Sequence, residues 1–327
     1  MERQRRVLPG DQGVHFCLRI SRRSKDFVMW FAQPGRINDR VDFLGTREIS
    51  VYLVRGKDAV IVGGGMTYIV PELDRQLSAM DLDTADVRYL IITHSHFDHC
   101  GAVPYLRRKF PNAEVLSSAY AAEVLSKPKV IDIVASANRE KIVQLGLQNE
   151  YRDLGLEFDG IVVDRVVADG EALDLGDGIE AQFIEAPGHS RCSMALYVPA
   201  LQAMFPSDAA PCPLPEGRGF VIPSPQYDFP MYLESLRRLS EYDVEICAFE
   251  HHGVLVGGQG RAALRRGLDR TMRFRDYLVG QYEESGDIEE VAQKLASEIR
   301  RKNELPFLSR ELQATILMIS VRRMLGS

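Results

Sequence analysis

Alternating apolar positions at Ile49, Val51 and Leu53, followed by the unbroken run Ala59-Val60-Ile61-Val62, predict two strands joined by a turn at Gly56-Lys57-Asp58. Gly63-Gly64-Gly65 ends the second strand abruptly. A helix over about 71–80 comes next, and the apolar run Val87 to Ile92 reads as a buried strand. Helical spacing follows at 103–110, 117–126 and 129–150, and strands return at 161–167, 179–185, 194–198 and 201–205. Residues 211–230 are rich in Pro and Gly and read as a long loop. A helix at 229–241 and a strand at 244–249 close this region, and from Gly260 the pattern is helical at 260–283, 287–303 and 309–325.

Near the N-terminus, Phe27 to Phe31 looks like a buried strand with a turn at Pro34-Gly35, while residues 1–45 otherwise read as an extension packing on the core. Strands and helices alternate, yet many strand pairs look hairpin-connected, so the expected core is a layered α/β or α+β sandwich. The expected divisions are that extension at 1–45, a core domain at 46–258 and a helical cap at 259–327.

The chain has 327 residues, 45% hydrophobic and 26% charged, which fits an ordinary globular protein. A net charge of −6 argues against a broad nucleic-acid-binding face. No run approaches a membrane span, and the basic N-terminus lacks the apolar stretch of a secretory signal. The five cysteines are scattered without a CxxC pair, pointing to free thiols and a reducing cytoplasm.

Histidine changes the picture, because six of the seven fall in three short clusters. The first, Thr93-His94-Ser95-His96-Phe97-Asp98-His99-Cys100, lies directly after the strand at 87–92. In an extended segment His94 and His96 point the same way and can share a metal, with Asp98 and His99 facing a neighbouring position. Gly188-His189-Ser190, the isolated Asp208, and Glu250-His251-His252-Gly253 also follow predicted strands. Segments distant in sequence converge in this way on one crevice at the ends of strands. Cys100 reads as a buried thiol, and His15, outside every cluster, as a surface or core residue.

The order HxHxDH, Gly-His-Ser, lone Asp, His-Gly resembles the metallo-β-lactamase superfamily over residues 46–258. The resemblance implies an αββα sandwich of the α+β class, with a dinuclear site at one edge. By motif, His94, His96 and His189 would hold one metal, Asp98, His99 and His252 the other, and Asp208 would bridge them. His251 competes for the last place, but the family's ligand directly precedes Gly, which favours His252; Glu250 reads as shaping the loop. Many relatives carry an Asp where Gly63-Gly64-Gly65 stands, so whatever that Asp supports must be held otherwise here.

The cofactors implied are two divalent ions, Zn or Fe with Mn also suited to an N/O donor set. The implied chemistry is hydrolysis by a hydroxide held between them, with Asp98 as the catalytic residue that orients it. Flavodiiron redox proteins usually carry Glu at the position of His96 and need a flavin domain, and nuclease relatives have basic surfaces. The C-terminal helices resemble the caps of glyoxalase II-like and PqsE-like thioesterases, as do Asp98-His99-Cys100-Gly101 and Tyr232-Leu233-Glu234-Ser235-Leu236. A small-molecule thioester or ester such as an acyl-CoA is therefore the expected substrate, with the cap forming an acyl pocket. Arg191, Arg270, Arg273 and Arg275 are candidates to meet its acidic groups. Alternatives are a metal-binding sensor or partner-binding protein of the same fold, or a lactonase or phosphodiesterase, and a homodimer is left open.

Overall fold

The structure is a computed structural model that describes residues 29–214, 219–302 and 306–326. Phe27 and Val28 of the first expected strand, and His15, lie outside these residues. Strand β1 (Met29–Phe31) joins the second of two seven-stranded sheets. The first sheet is built in chain order from β2 (Gly35–Arg36), β3 (Val41–Gly45), β4 (Ser50–Arg55), β5 (Ala59–Val62), β6 (Val87–Ile91), β7 (Glu114–Ser117) and β8 (Arg165–Val166). Its pairing is antiparallel from β2 to β5 and parallel from β5 to β8. The second sheet runs β1, β14 (Gly253–Val256), β13 (Ile246–Phe249), β12 (Ala203–Phe205), β11 (Met194–Val198), β10 (Glu180–Glu185) and β9 (Ala172–Asp174).

Period-two alternation explains why the sheets stack. In β4, Val51 and Leu53 face an outer helical layer, whereas Tyr52 and Val54 face the other sheet, and all four are fully buried. Tyr52 meets Phe205 across the gap with ring centroids 5.4 Å apart, and Phe43 lies beside Tyr52 on the same sheet at 5.5 Å, both pairs tilted. Helices α1 (Val70–Ser78), α2 (Val103–Lys109), α3 (Ala119–Leu125), α4 (Pro128–Leu145) and α5 (Gln148–Asp153) accompany the first sheet. Helix α6 (Phe229–Leu239) and the start of α7 (Gly258–Ser285) cover the second, whose outer face buries Tyr232, Leu236 and Leu264 together with Phe249 and Leu255. The result is the expected α+β sandwich with two inner sheets and helices outside.

Helices α7, α8 (Ile288–Lys302) and α9 (Arg310–Leu325) form the C-terminal helical region. Helix α9 is apolar on two faces. Ala314, Leu317, Val321 and Met324 are buried with residues of α7 and α8, while Leu312 and Ile316 pack toward α4 and the core beneath. Such a helix joins two layers instead of facing solvent on one side.

Several elements differ from the sequence reading. The segment 117–126, expected to be helical, follows a strand ending at Ser117, and Ser118 caps α3 by accepting from the Ala121 amide. The helix expected at 129–150 ends at Leu145 because Gly146 adopts φ 71°, and α5 begins afterwards. Strand 161–167 shrinks to β8, and 201–205 begins as a 3-10 turn at Pro199–Leu201 before β12. Strands β2, β3, β7, β9 and β14 were not anticipated, and Gly35, read as part of a turn, lies in β2. Within residues 29–45, β1 joins one sheet while β2 and β3 join the other.

Candidate metal centre

The four segments of the site meet at strand ends on one edge of the sandwich. The His94–His99 loop follows β6, His189 follows β10, Asp208 follows β12, and Glu250-His251-His252 forms the turn between β13 and β14. Ser207, at φ 50°, begins the tight 3-10 turn that presents Asp208. Phe249 pairs with Gly253, so three residues make the hairpin turn, with φ 64° at His252 and 88° at Gly253. A side chain at Gly253 would place its Cβ 2.1 Å from the Phe31 carbonyl oxygen, so only glycine lets β1 and β14 pair there.

Two donor groups result. In the first, His94 Nε2 lies 3.2 Å and His189 Nε2 3.0 Å from His96 Nδ1. In the second, His99 Nε2 is 3.3 Å from His251 Nε2, and Asp98 Oδ2 is 3.5 and 3.6 Å from those two nitrogens. Asp208 stands between the groups, with Oδ2 at 3.3 Å from His189, 3.4 Å from His99 and 3.9 Å from His94, and Oδ1 at 3.6 Å from His251.

The outer ring nitrogens are spoken for, which fixes the inner ones. His189 Nδ1 donates to the Ser224 carbonyl at 2.7 Å, and His251 Nδ1 to the Glu48 carbonyl at 2.8 Å. His99 Nδ1 lies 2.9 Å from the Glu250 carboxylate, and His94 Nδ1 lies 3.2 Å from the Ser207 hydroxyl. With each Nδ1–H directed outward, the lone pairs of four Nε2 atoms converge, the tautomer that metal ligands require.

The charge balance points the same way. Asp98, Asp208 and Glu250 gather in this region with only histidines as cationic neighbours, and no Lys or Arg pairs with them among the described residues. Burial, reinforced by His99, His96 and His189, holds His94 well below the ordinary imidazole range, and burial with His189 brings His96 to about 4. His99 moves upward because Asp98, Glu250 and Asp208 outweigh its burial. Burial opposes ionisation of Asp98, but His99 and His251 overcome it and hold the carboxyl at about 2. Asp208 is likewise held well below the carboxylate range, by His99, His189 and His251 against its burial. His94, His96 and His189, kept neutral beside the ionised Asp98 and Asp208, are the kind of donors that divalent cations select, and a cation bound there would displace the proton that His99 holds.

The structure brings together His94, His96, Asp98, His99, His189 and Asp208, six of the residues named from the sequence, and with them His251, the competitor for the seventh place. In the left-handed conformation His252 belongs to neither donor group, and its backbone is held by Arg47 O at 2.8 Å and by Trp30 Nε1 donating to its carbonyl at 2.8 Å. Glu250, assigned only to loop shaping, contacts His99, Thr93 and Ser207. Its carboxylate also fills the volume above Gly63, where a Cβ would lie 2.4 Å from Glu250 Oε1. Glu250 approaches His94 and His99 from their outer, Nδ1 side, so it supports those rings from behind. Cys100 is fully buried, and burial pushes its thiol up.

Above the donors opens a cavity of about 270 Å³. His96, Asp98, His189, Asp208 and His251 form its floor, and Val130, Ile133 and Val134 of α4 with Leu312, Ile316 and Ile319 of α9 form its walls. Phe307 stacks on the His251 ring at 4.8 Å and 11°. No Lys or Arg lines the cavity among the described residues. Arg191, Arg270 and Arg275 instead stack over Tyr120, Phe274 and Phe229.

A profile of the metallo-beta-lactamase superfamily matches residues 44–252. The metallo-beta-lactamase fold-containing protein ST1585 of Sulfurisphaera tokodaii is 29% identical over 209 residues, 63% of this chain and 73% of that protein. The probable metallo-hydrolase YqjP of Bacillus subtilis is 25% identical over 63% of this chain and 67% of its own length. The anaerobic nitric oxide reductase flavorubredoxin of Salmonella typhi is also 25% identical, but the match spans only 34% of it. The metallo-beta-lactamase family protein TTHA1429 of Thermus thermophilus shares the fold with a TM-score of 0.60 at 17% identity, over 89% of this chain and 93% of that one. The profile covers every residue of the two donor groups, from His94 to His251, and by that match the chain belongs to the metallo-beta-lactamase superfamily, a superfamily of metal-binding hydrolases.

Proposed function

We propose that this protein is a dinuclear metal-dependent hydrolase acting on an ester or thioester with an uncharged, apolar acyl group. The observation that carries this reading is the apolar cavity standing directly on the two donor groups. His94, His96 and His189 would hold one divalent cation, Asp98, His99 and His251 the other, and Asp208 would reach both. Cations held there supply Lewis acidity, activating water near neutral pH and polarising the scissile carbonyl.

The chain's own residues do the rest. Asp98, ionised throughout the working pH range, accepts a hydrogen bond from the attacking water and orients it, the role expected of a catalytic carboxylate. Ile133, Ile316 and Ile319 desolvate the acyl group and align its carbonyl over the floor. The cavity falls just below the roughly 300 Å³ at which sites for drug-sized ligands begin. It therefore takes the acyl side of the bond and leaves a bulky thiol such as a CoA outside.

Turnover by protein loaded with Zn, Fe or Mn, measured over aliphatic and aromatic acyl-CoAs, simple esters, a lactone, a β-lactam and a phosphodiester, tests the reading. Hydrolysis of thioesters or esters, rising with the apolar size of the acyl group and lost in Asp98→Ala, is expected. Preference for the phosphodiester, or no turnover of any acyl substrate by metal-replete protein, would overturn it.

A further inference from the structure

We propose that Glu250 is a positioning residue that orients both donor groups through a single oxygen, and that Gly63 is the glycine that makes room for it. The inference rests on the metal-holding reading of the site. Glu250 Oε2 lies 2.8 Å from Thr93 Oγ1, 2.6 Å from Ser207 Oγ and 2.9 Å from His99 Nδ1. A carboxylate only accepts, so both hydroxyls and the imidazole donate to it.

The consequence extends past His99. With its hydroxyl hydrogen committed to Glu250, Ser207 Oγ presents a lone pair to His94 Nδ1, 3.2 Å away. A continuous path then runs from His94 Nδ1–H to Ser207, from Ser207 to Glu250, and back out to His99 Nδ1–H. His94 belongs to the first donor group and His99 to the second, so one carboxylate sets the tautomer and tilt of a ring in each. Ser207 also precedes Asp208, which stands between the groups, so the same path anchors the turn that presents it.

Two features separate this role from plain packing. Glu250 is 3% exposed, and its second oxygen, Oε1, makes no hydrogen bond among the described residues, which is costly for a buried carboxylate kept only to fill space. Oε1 also lies where a side chain at position 63 would begin, 2.4 Å from the Cβ position, and Gly63 sits at φ 87°. Its backbone is pinned as well, since the Glu250 carbonyl accepts from Ser50 N at 2.8 Å.

Zinc stoichiometry and affinity, measured by competition with a chromophoric chelator, and the absorption spectrum of the cobalt-substituted protein test the proposal on the full chain. Wild type should take up two equivalents; if it takes up none, the metal reading itself fails. Given two-metal uptake, Glu250→Gln should weaken both equivalents by about 10- to 100-fold and alter the cobalt spectrum. Ser207→Ala should weaken chiefly one equivalent, and Gly63→Ala should weaken both by displacing the carboxylate without touching any donor. Binding within about twofold of wild type in folded Glu250→Gln overturns the proposal; should that variant not fold, unchanged binding in folded Gly63→Ala and Ser207→Ala overturns it equally.

Discussion

Replacing His251 with alanine should lower metal affinity by more than about 100-fold, because even loss of an outer partner of a ligand costs about 10- to 100-fold. His252→Asn should leave metal uptake near wild type, since asparagine tolerates the φ of 64° found there. Metal content after gel filtration of the two variants separates them, and loss confined to His252→Asn would contradict the geometry. At this scale the sequence was informative where spacing alone sets direction. His94 and His96, two apart in an extended segment, reach the same donor group as expected. The choice between His251 and His252 depended on the turn between β13 and β14, whose positive φ angles redirect consecutive side chains and leave no trace in spacing. Glu250, Ser207 and Thr93 were illegible for a related reason: their partners are distant in sequence, and Ser and Thr near a strand end are ordinary loop residues.

Helix α9 lines the cavity with its half-buried face. Ile316→Trp or Ile319→Trp should lower kcat/KM for long or aromatic acyl groups by about tenfold or more while metal content stays constant, the filled volume excluding substrate. Equal losses for acetyl and bulky acyl substrates would argue against an acyl site there. Between α1 and α2, Asp74 accepts from Lys109 Nζ at 2.6 Å and from the Tyr105 hydroxyl. Lys109 first, then Tyr105, lower its carboxyl below the ordinary value. A carboxylate depressed by folding contributes stability above its unfolded value near pH 4, lost as pH falls through the lower folded value. Lys109→Met should therefore cost under about 1 kcal/mol in urea unfolding at neutral pH, since the pair is partly exposed. The difference should shrink below about pH 4. Long periodic elements such as α7 and α9 were readable in advance. The short strands β3, β9 and β14 were not, because three to five residues carry too little periodicity and exist through pairing with their neighbours in the sheet.

Across the molecule, the donors are divided between the two sheets: the His94–His99 loop follows a strand of the first, while His189, Asp208 and His251 follow strands of the second. Cations bound there would tie the sheets together, so chelation should lower Tm. At free metal a thousandfold above Kd the stabilisation is about 4 kcal/mol, or on the order of 10 °C for a chain of this size. A melting temperature indifferent to chelator would show that the donors hold nothing. The layered architecture was legible because buried runs and amphipathic helices alternate along the chain, whereas the membership of residues 29–45 in both sheets depends on long-range pairing. The stacking of Phe307 on His251 joins the cavity wall to its floor through one pair of rings. Thermodynamic linkage then makes the two occupants reciprocal: whatever factor a bound acyl ligand adds to metal affinity, the metal must add to the affinity for that ligand. Metal titrations with and without a saturating apolar carboxylic acid should show this mutual tightening, and Phe307→Ala should uncouple the two.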